Sequence, residues 1–533
     1  MRSLAAEEGS FQIPLWGVPV VLLLLYVGLF SGLGALGLVG PDEPRYAAIA
    51  RAMSETHDWI TPRLWGIPWF EKPVLYYWTA GIAIRIFGVS EFAARLPSAL
   101  AALLAVAAVK WTALRSYGVV TAWYSLLMLP TSVAMIGFSR AASPDMLFAG
   151  LLTAAMAVAS EMLQKPRPGP ILRIAFGFFL GAAVLAKGPA AVILAGGATL
   201  LWAALTRQWR APFRFLHPLV IAVFCGTALP WYVLCALLNP DFLRIFIWQH
   251  NFERYTTPIF EHRQPVWFYG YILLLAVLPW IAFLFGALFR AAVRLKQRTA
   301  IESINLFLAC WTVFPILFFS FSQSKLPGYI LPAIPPLFLL LGRWVSESIQ
   351  RNSKMAAQTL ASTGAALSIV AVAFASTKLR TDYYPSKDFW IELLIFILGA
   401  AIALLAFKKR VMAGFAVMAL TVIAAVEIAN FVVLPEIDSA VSYRQLATKL
   451  LRDGASRRDL SLYRVSRETE YGLNYYFDCD LPTWVPGKSE PEWILARLPM
   501  DMQIARRYDV VDDNPLNKYI PVFSLYRRKQ RAQ

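Results

Sequence analysis

Residues 14–47 read PLWGVPVVLLLLYVGLFSGLGALGLVGPDEPRYA, and the change from an uncharged run to a charged one decides the fold class. No charged residue stands between Glu8 and Asp42, and the apolar part approaches the ~20 residues that cross a bilayer as a helix. This run is longer than the core of a signal peptide and is not followed by a convincing cleavage site. We therefore expect an uncleaved first span. Asp42, Glu43 and Arg45 then either mark where the chain returns to water or are chemical groups placed at a membrane surface.

The remainder of the chain repeats this pattern of long apolar runs. It is 58% hydrophobic and 16% charged, with a mean hydropathy of +0.54, which is too apolar for a soluble globular protein. About thirteen runs approach the length that a bilayer requires. They are centred near residues 26, 103, 127, 153, 180, 197, 227, 278, 313, 337, 366, 398 and 422. The predicted fold class is a polytopic α-helical membrane protein with about thirteen transmembrane helices.

The net charge of +17 follows the membrane topology and does not indicate a nucleic-acid partner. Basic residues concentrate in alternate gaps between the apolar runs, which is the pattern of cytoplasmic loops. These gaps contain Lys110 and Arg115; Lys165, Arg167 and Arg173; Arg207, Arg210 and Arg214; Arg290, Arg294, Lys296 and Arg298; Arg343, Arg351 and Lys354; and Lys408, Lys409 and Arg410. We expect a cytoplasmic N-terminus, with the other gaps and the polar tail on the outer side.

The polar parts of the chain predict two units. Residues 1–433 form the transmembrane domain, in which the outer loop 39–91 carries amphipathic helices near Pro44–Ser54 and Pro73–Phe87 that could lie at the membrane interface. Residues 434–533 are expected to form a small α/β domain. Its predicted strands are LSLYRV (460–465), LNYYF (473–477) and IPVFSLY (520–526).

Several site classes find no support in the sequence. The four cysteines are Cys225, Cys235, Cys310 and Cys479; three lie in apolar runs, so neither a disulfide framework nor a CxxC metal site is expected. No phosphate-binding GxxxxGK[ST] loop and no dinucleotide fingerprint is present. Soluble nucleotide chemistry is therefore not expected.

Two aspartates at predicted outer membrane edges are candidates for catalysis. Asp42 precedes Pro44 and Asp145 follows Pro144, so each could simply begin a helix, Asp42 as an N-cap and Asp145 beside the capping Ser143. Both nevertheless lie at the same predicted face beside arginines, Arg45 and Arg140. A carboxylate there can orient or deprotonate an acceptor, or stabilise an oxocarbenium-like centre.

Three lysines lie on the outer side, against the positive-inside trend. Lys72, Lys187 and Lys325 each stand beside proline or glycine at the end of an apolar run. Lysines commonly extend towards the membrane surface in this way. Three of them together also suit the phosphate of a lipid-linked substrate, with Arg45 able to grip two oxygens.

The outer loop WQHNFERYTTPIFEHRQPVWFY (248–269) is rich in polar and aromatic residues. His262 in this loop and Glu71 in the first loop are the expected ligands if a divalent metal binds, although their spacing fits no specific template. The alternative is a set of polar loop residues under an aromatic belt. No cofactor is otherwise predicted.

Five motifs together resemble one family. They are DEPRYA (42–47), EKPVLYYW (71–78), SRAASPDM (139–146), HRQPVWFY (262–269) and SKLPGYILPAIPPLFLLLG (324–342). The chain resembles the C-type membrane glycosyltransferases, and within them the protein O-mannosyltransferases and the bacterial lipid A aminoarabinose transferases. The resemblance covers the whole chain and includes the long first outer loop and the outer tail.

The resemblance implies roles for individual residues. The catalytic residues would be Asp42 and Asp145; the donor-phosphate ligands Arg45, Tyr46, Lys72, Lys187 and Lys325; the residues of the acceptor or substrate loops Arg263 and Tyr329; and the metal ligands Glu71 and His262. One departure is Gly328, where close relatives are expected to have threonine or a similar residue. It loosens the substrate assignment without affecting the family.

The implied function is sugar transfer from a polyprenyl phosphate, without a nucleotide, at the periplasmic face of a bacterial inner membrane. The sugar would be 4-amino-4-deoxy-L-arabinose or a hexose, and the acceptor lipid A or a related envelope molecule. Two alternatives stay open: an O-mannosyltransferase-like enzyme with a Ser/Thr acceptor, and a transporter or flippase of a lipid-linked sugar. Against transport, the ionisable residues cluster at one face, whereas transporters place their sites near the midplane.

Overall fold

The structure is a computed structural model that describes residues 15–253, 255, 264–297, 301–351, 353–378, 387–488, 490–497, 507–512 and 523–529. It is mostly helical. The helices of the first half are α1 (Gly17–Leu29), α2 (Asp42–Thr56), α3 (Leu75–Phe87), α4 (Glu91–Ser116), α5 (Val119–Met128), α6 (Val133–Ser139), α7 (Pro144–Gln164), α8 (Pro170–Lys187), α9 (Ala190–Thr206) and α10 (Pro218–Leu238).

The second half continues the bundle and ends in a polar region. Its helices are α11 (Phe268–Ala276), α12 (Ile281–Lys296), α13 (Ser303–Ser320), α14 (Ile334–Gln350), α15 (Met355–Lys378), α16 (Lys387–Phe407), α17 (Val411–Ile428), α18 (Leu434–Val441), α19 (Arg444–Arg452) and α20 (Arg467–Phe477). Shorter turns of 3-10 helix (Pro212–Leu216, Pro327–Ala333) and π-helix (Arg244–Glu253, Ala429–Val433) interrupt or extend these helices.

Within the described residues, 9 helices are long and apolar enough to cross a membrane, or up to 11 if each of two bent pairs is one span. The bends, of 62° between α5 and α6 and 118° between α11 and α12, occur near Pro130 and Pro279, which cannot donate a helical hydrogen bond. Two further apolar helices, α1 and α9, have 13 and 17 residues. Every predicted span centre falls in one of these helices or bent pairs, and the polytopic fold is confirmed. The count of about thirteen spans stays a prediction.

Contacts between helix ends divide the loops into the two predicted sets. At one end of the bundle, Lys187 at the end of α8 pairs with Asp145 at the start of α7, and Glu43 accepts a hydrogen bond from the amide of Ala142. At the opposite end, Arg294 and Arg343 both pair with Glu347. The contacts of Lys187 with Asp145, Glu43 with Ala142 and Arg294 with Glu347 each join segments predicted to share a side, while the orientation itself stays a prediction. We call the first end the site end.

The segment 39–91 contains the two predicted helices. α2 buries Tyr46, Ile49 and Met53 as expected, but Glu43 and Arg45 are buried as well. The reason is that α2 is covered from more than one direction, by α3 and by α20. A short antiparallel ribbon, β1 (Arg63–Leu64) with β2 (Ile67–Pro68), connects α2 to α3.

The C-terminal region forms a sheet of four strands flanked by helices. The strands are β3 (Leu460–Tyr463), β4 (Trp493–Arg497), β5 (Tyr508–Asp512) and β6 (Phe523–Arg528). Their order is β3-β4-β6-β5; β3 and β4 are parallel and the other pairs are antiparallel. A small hydrophobic core between this sheet and helices α19 and α20 includes Leu446, Leu473 and Leu525. The predicted α/β character of the tail is confirmed.

One predicted strand is wrong. LNYYF (473–477) belongs to helix α20, because Ser466 caps that helix by accepting a hydrogen bond from the amide of Thr469. Glu468 and Glu470 in the first turn further favour a helix. The aromatic run suggested a strand by composition alone, whereas the local capping signal upstream decided the conformation.

Candidate active site

The first part of the candidate site is an ion-pair cluster at the start of α2. A guanidinium nitrogen of Arg45, Nη2, lies 2.5 Å from Oδ1 of Asp42 and 3.1 Å from Oε2 of Glu71. The Asp42 side chain is 54% exposed, whereas that of Arg45 is only 6% exposed. The helix begins with Pro41 as its N-cap and without a side-chain cap. Asp42 therefore does not cap α2, and its carboxylate faces the outside of the cluster.

Aromatic side chains surround Arg45. Its guanidinium lies 5.1 Å from the ring centre of Tyr46 and 5.6 Å from that of Trp69. Burial by itself would lower the pKa of Arg45, but Tyr46, Glu71 and Asp42 raise it, and the net pKa lies above its ordinary value. Burial raises the pKa of Tyr46. Arg45 thus stays charged and Tyr46 stays a neutral hydrogen-bond donor.

Three buried donors near this cluster have no hydrogen-bond partner among the described residues: Arg45 Nε, Trp69 Nε1 and the Tyr77 hydroxyl. The Tyr46 ring packs against Tyr77 at 6.2 Å, which places that hydroxyl-bearing ring beside the cluster. An unsatisfied buried donor costs about 1–3 kcal/mol, so such groups favour an added acceptor. A phosphate oxygen is an acceptor of this kind.

Glu43, next to Asp42, was missed as a functional residue. Its carboxylate is buried and binds Arg95 at 2.7 Å, the amide of Val39 at 2.8 Å and the amide of Ala142 at 2.6 Å. It therefore ties the Asp42 segment to α4 and to the loop before Asp145. The signal that could have identified it is Arg95, a charge inside an apolar run, which calls for a buried partner.

The second part of the candidate site is the start of α7. Ser143 caps this helix, Pro144 occupies its first turn, and the Asp145 carboxylate forms an ion pair with Lys187. The Lys187 ammonium also lies 4.9 Å from the ring centre of Tyr329. The side chains of Asp145 and Lys187 are 26% and 11% exposed. Three predicted residues from distant parts of the chain thus meet.

Gly328 has a direct structural reason. A Cβ atom built at this position would lie 3.0 Å from Oδ2 of Asp145 and 2.9 Å from the Phe138 ring. A threonine there would have to displace one of them. The unexpected glycine of the KLPGY motif is the residue that admits the Asp145 carboxylate.

Two further lysines occupy different surroundings. Lys325 is buried, and its ammonium donates to the carbonyl of Ser322 at 2.6 Å. Burial lowers the pKa of Lys325. Lys72 is half-buried directly after Glu71, which places it on the segment that contacts Arg45.

Part of the predicted site cannot be placed. His262 and Arg263 lie outside the described residues. Among those that are described, no three His, Cys, Asp or Glu side chains come together as a metal site, and Glu71 pairs with Arg45. The metal assignment stays a prediction.

Arg140, predicted beside Asp145, has a different partner. It donates to the carbonyls of Val27 at 2.7 Å and Ser31 at 3.1 Å, and also to that of Gly28. These are the carbonyls at the end of α1, which lack helical partners. Arg140 therefore fastens α1 to the bundle at the site end.

Comparison with known proteins identifies a family model, curated relatives and a solved structure that are similar to this chain. The family model described as dolichyl-phosphate-mannose-protein mannosyltransferase (PMT) matches residues 15–246. An undecaprenyl phosphate-alpha-4-amino-4-deoxy-L-arabinose arabinosyl transferase of Edwardsiella ictaluri is 34% identical over 342 residues, which are 64% of this chain and 61% of that protein. The protein of the same name from Pseudomonas aeruginosa is 29% identical over 481 residues, covering 85% of this chain and 86% of that one. The match thus spans less than two thirds of the Edwardsiella protein and most of the Pseudomonas protein.

A solved structure has the same fold along nearly the whole chain. The crystal structure of ArnT from Cupriavidus metallidurans bound to undecaprenyl phosphate superposes with a TM-score of 0.77 at 23% identity, covering 96% of this chain and 98% of that one. The family model covers the part that holds Asp42, Arg45, Glu71, Asp145 and Lys187. The chain is thus similar to the protein mannosyltransferase family over residues 15–246, and to the Pseudomonas arabinosyl transferase over most of its length.

Proposed function

We propose that the protein transfers a sugar, 4-amino-4-deoxy-L-arabinose or a hexose, from a polyprenyl phosphate to lipid A or a related envelope acceptor. The observation that carries the proposal is that two ion-pair clusters, Asp42–Arg45–Glu71 and Asp145–Lys187, are connected through Glu43. Glu43 directly follows Asp42 and accepts a hydrogen bond from the amide of Ala142, three residues before Asp145. The names of the Edwardsiella and Pseudomonas relatives support the donor and sugar classes.

Sugar transfer from a polyprenyl phosphate requires the protein to stabilise the leaving phosphate. The bond between the sugar's anomeric carbon and the phosphate oxygen breaks, and the polyprenyl phosphate leaves with the electron pair. Arg45 would hold its oxygens as a permanently charged, buried donor, with Lys72 and Lys325 as further cations. Tyr46 would contribute a neutral hydroxyl.

The acceptor oxygen forms the new bond to the anomeric carbon. A hydroxyl acceptor must lose its proton, which Asp42 or Asp145 would accept as general base. A phosphate acceptor, as on lipid A, is already ionised and needs orientation more than deprotonation. Lys187 is suited to holding the Asp145 carboxylate in place, since the two form an ion pair.

The test uses purified protein in lipid nanodiscs, a polyprenyl-phosphate aminopentose donor and lipid A. Mass spectrometry should find lipid A heavier by one aminopentose and free polyprenyl phosphate in equal amount. Transfer to a Ser/Thr peptide instead would assign the O-mannosyltransferase-like function. Movement of the intact donor across the bilayer without cleavage would assign a flippase and refute the proposal.

We also propose that the site end faces the periplasm of a bacterial inner membrane and that the N-terminus is cytoplasmic. The support is the excess of basic residues in the loops at the opposite end. Reporter fusions after Gln208 and Lys296 should behave as cytoplasmic, and one after Asp438 as periplasmic. A cytoplasmic signal from the last fusion would contradict the orientation.

A further inference from the structure

The segment that leads into Asp42 is held by side chains from two distant parts of the chain. This connecting segment, residues 33–39, lies between α1 and α2 outside regular helix or sheet, apart from a single bridge at Val39. From the bundle, Arg95 donates to the carbonyls of Leu33 at 2.8 Å, Leu36 at 2.6 Å and Gly37 at 2.8 Å.

The opposite side of the connecting segment is held by residues that follow the last span. Arg444 donates to the carbonyls of Gly34 and Ala35, both at 3.1 Å. Asp438 accepts a hydrogen bond from the amide of Gly37 at 2.8 Å, and its other oxygen pairs with Arg444 at 3.0 Å. The Asp438 side chain is 1% exposed, so these bonds are sheltered from water.

Tyr476 of helix α20 adds a third contact from the C-terminal region. Its hydroxyl accepts from the amide of Leu38 and donates to Glu91, both at 2.9 Å. Ser442 forms a backbone bridge with Val39, and a Cβ at Gly37 would overlap the Ser442 side chain. The C-terminal region therefore approaches this backbone as closely as glycine permits.

The backbone groups of the connecting segment are thus satisfied mainly by side chains. The carbonyls of residues 33–37 all accept from Arg95 or Arg444, and the amides of residues 37–39 bond Asp438, Tyr476 and Glu43. Because the segment lacks regular secondary structure, these side-chain bonds hold its path together with the Val39–Ser442 bridge and the buried side chains of Leu33 and Leu38. Because Asp42 begins α2 three residues after Val39, this path contributes to where its carboxylate stands.

We propose that Asp438, Arg444 and Tyr476 are positioning residues that set the connecting segment and, through it, Asp42. The inference rests on the proposed function, in which Asp42 acts on the substrate. It assigns the C-terminal region a part in turnover that is separate from substrate contact. A misplacement of a reacting group by about 1 Å can cost on the order of 100-fold in rate, so modest loosening should be measurable.

The first experiment measures the connecting segment without reference to activity. Hydrogen exchange of the full-length protein in nanodiscs, read by mass spectrometry, should show about tenfold faster exchange of a peptide spanning 33–41 in Arg444→Ala. The matched control is Arg51→Ala. It breaks the Arg51–Asp478 ion pair of 2.7 Å, another contact of the C-terminal region, but leaves the connecting segment untouched. Unchanged exchange in Arg444→Ala would overturn the inference.

The second experiment separates positioning from loss of stability. Arg444→Ala should lower kcat about tenfold with donor KM within twofold of wild type, Arg444→Lys should recover part of the rate, and Arg51→Ala should stay near wild type. Tyr476→Phe, which removes only a hydroxyl, should lower kcat less, and it serves as the test if Arg444→Ala fails to fold. An equal loss in the Arg51→Ala control would point to docking of the C-terminal region in general and refute the proposal.

The third experiment is a double-mutant comparison. In an Asp42→Asn background, Arg444→Ala should lower the residual rate less than twofold, because its effect acts through Asp42. Equal fold losses in both backgrounds would mean that Arg444 acts elsewhere, and would contradict the inference. If Asp42→Asn itself keeps the wild-type rate, the proposed role of Asp42 is wrong. The hydrogen-exchange experiment would still test whether Arg444 holds the connecting segment.

Discussion

Asp42 and Glu43 are adjacent carboxylates with opposite surroundings, and their amide variants should therefore fail in opposite ways. Asp42 is half exposed, does not cap its helix and forms one ion pair, with Arg45. In an Asp42 variant, Arg45 would still pair with Glu71. Exposed ion pairs contribute about 0–1 kcal/mol. Asp42→Asn should thus change thermal stability little. If the charge orients the acceptor or balances a developing cation, the barrier should rise by about 3–4 kcal/mol, a loss of about 10²–10³ in rate.

Glu43→Gln should produce the reverse pattern. Glu43 accepts bonds from Arg95 and from two backbone amides, and a Gln side chain would present its own N–H groups to some of these donors. Removing one partner of a buried ion pair costs about 3–5 kcal/mol. The variant should therefore lose stability first, and its loss of rate should follow its loss of folded protein.

The assay measures the rate of sugar transfer from purified donor at saturating acceptor. The thermal stability of each variant is measured in the same detergent, with size-exclusion chromatography as the readout of folded protein. A folded Asp42→Asn protein with a near wild-type rate would refute the catalytic role of Asp42. A Glu43→Gln protein as stable as wild type would refute the anchoring role of Glu43. Each variant is the control for the other, since both remove one negative charge at neighbouring positions.

The other predictions address the cations and the glycine. Arg45→Lys should raise donor KM about tenfold or more, because an ammonium cannot reproduce the planar fork that reaches both carboxylates and a phosphate. Gly328→Thr should lower turnover by about tenfold or more by displacing Asp145 at 3.0 Å, whereas Gly226→Ala, with open space around it, should not. Burial lowers the pKa of Lys325, so its positive charge should be lost as pH rises before the ordinary value of 10.5 is reached. As the pH rises towards 10.5, donor KM should increase in wild type and stay constant in Lys325→Arg. An identical increase in both proteins would exclude Lys325 as a phosphate ligand.

The helical layout could be predicted because a bilayer leaves the chain few choices. An apolar run near membrane length must satisfy its backbone internally, so its sequence alone predicts a helix. The prolines near residues 130 and 279 are visible in the sequence, but the size of the bends and the shortness of α1 and α9 could not be read from composition. The helix at 473–477 was mistaken because aromatic composition was weighed above the Ser466 cap.

The candidate site was only partly predictable. The sequence identified four members of the site because charged groups at the edge of an apolar run are a local signal. They are Asp42, Arg45, Asp145 and Lys187. The pairing of Asp145 with Lys187 joins residues 42 positions apart, and Glu43 meets an arginine 52 positions away. Such pairings follow from how helices pack, so sequence could suggest the members but not their partners.

The exposure of Asp42 gives a reason for the buried polar contacts of its neighbours, Glu43, Arg95 and the connecting segment. In the proposed function the Asp42 carboxylate acts on the substrate and so is not packed away, and its one ion pair contributes too little to fix it. Its position therefore has to come from its neighbours. Glu43 supplies this by bonding Arg95, which is 3% exposed and also holds the carbonyls of the connecting segment. A buried ion pair adds little net stability compared with apolar packing. In this protein the Glu43–Arg95 pair fixes the backbone that carries the exposed Asp42 side chain. This is a reason to retain a charged network inside an apolar bundle.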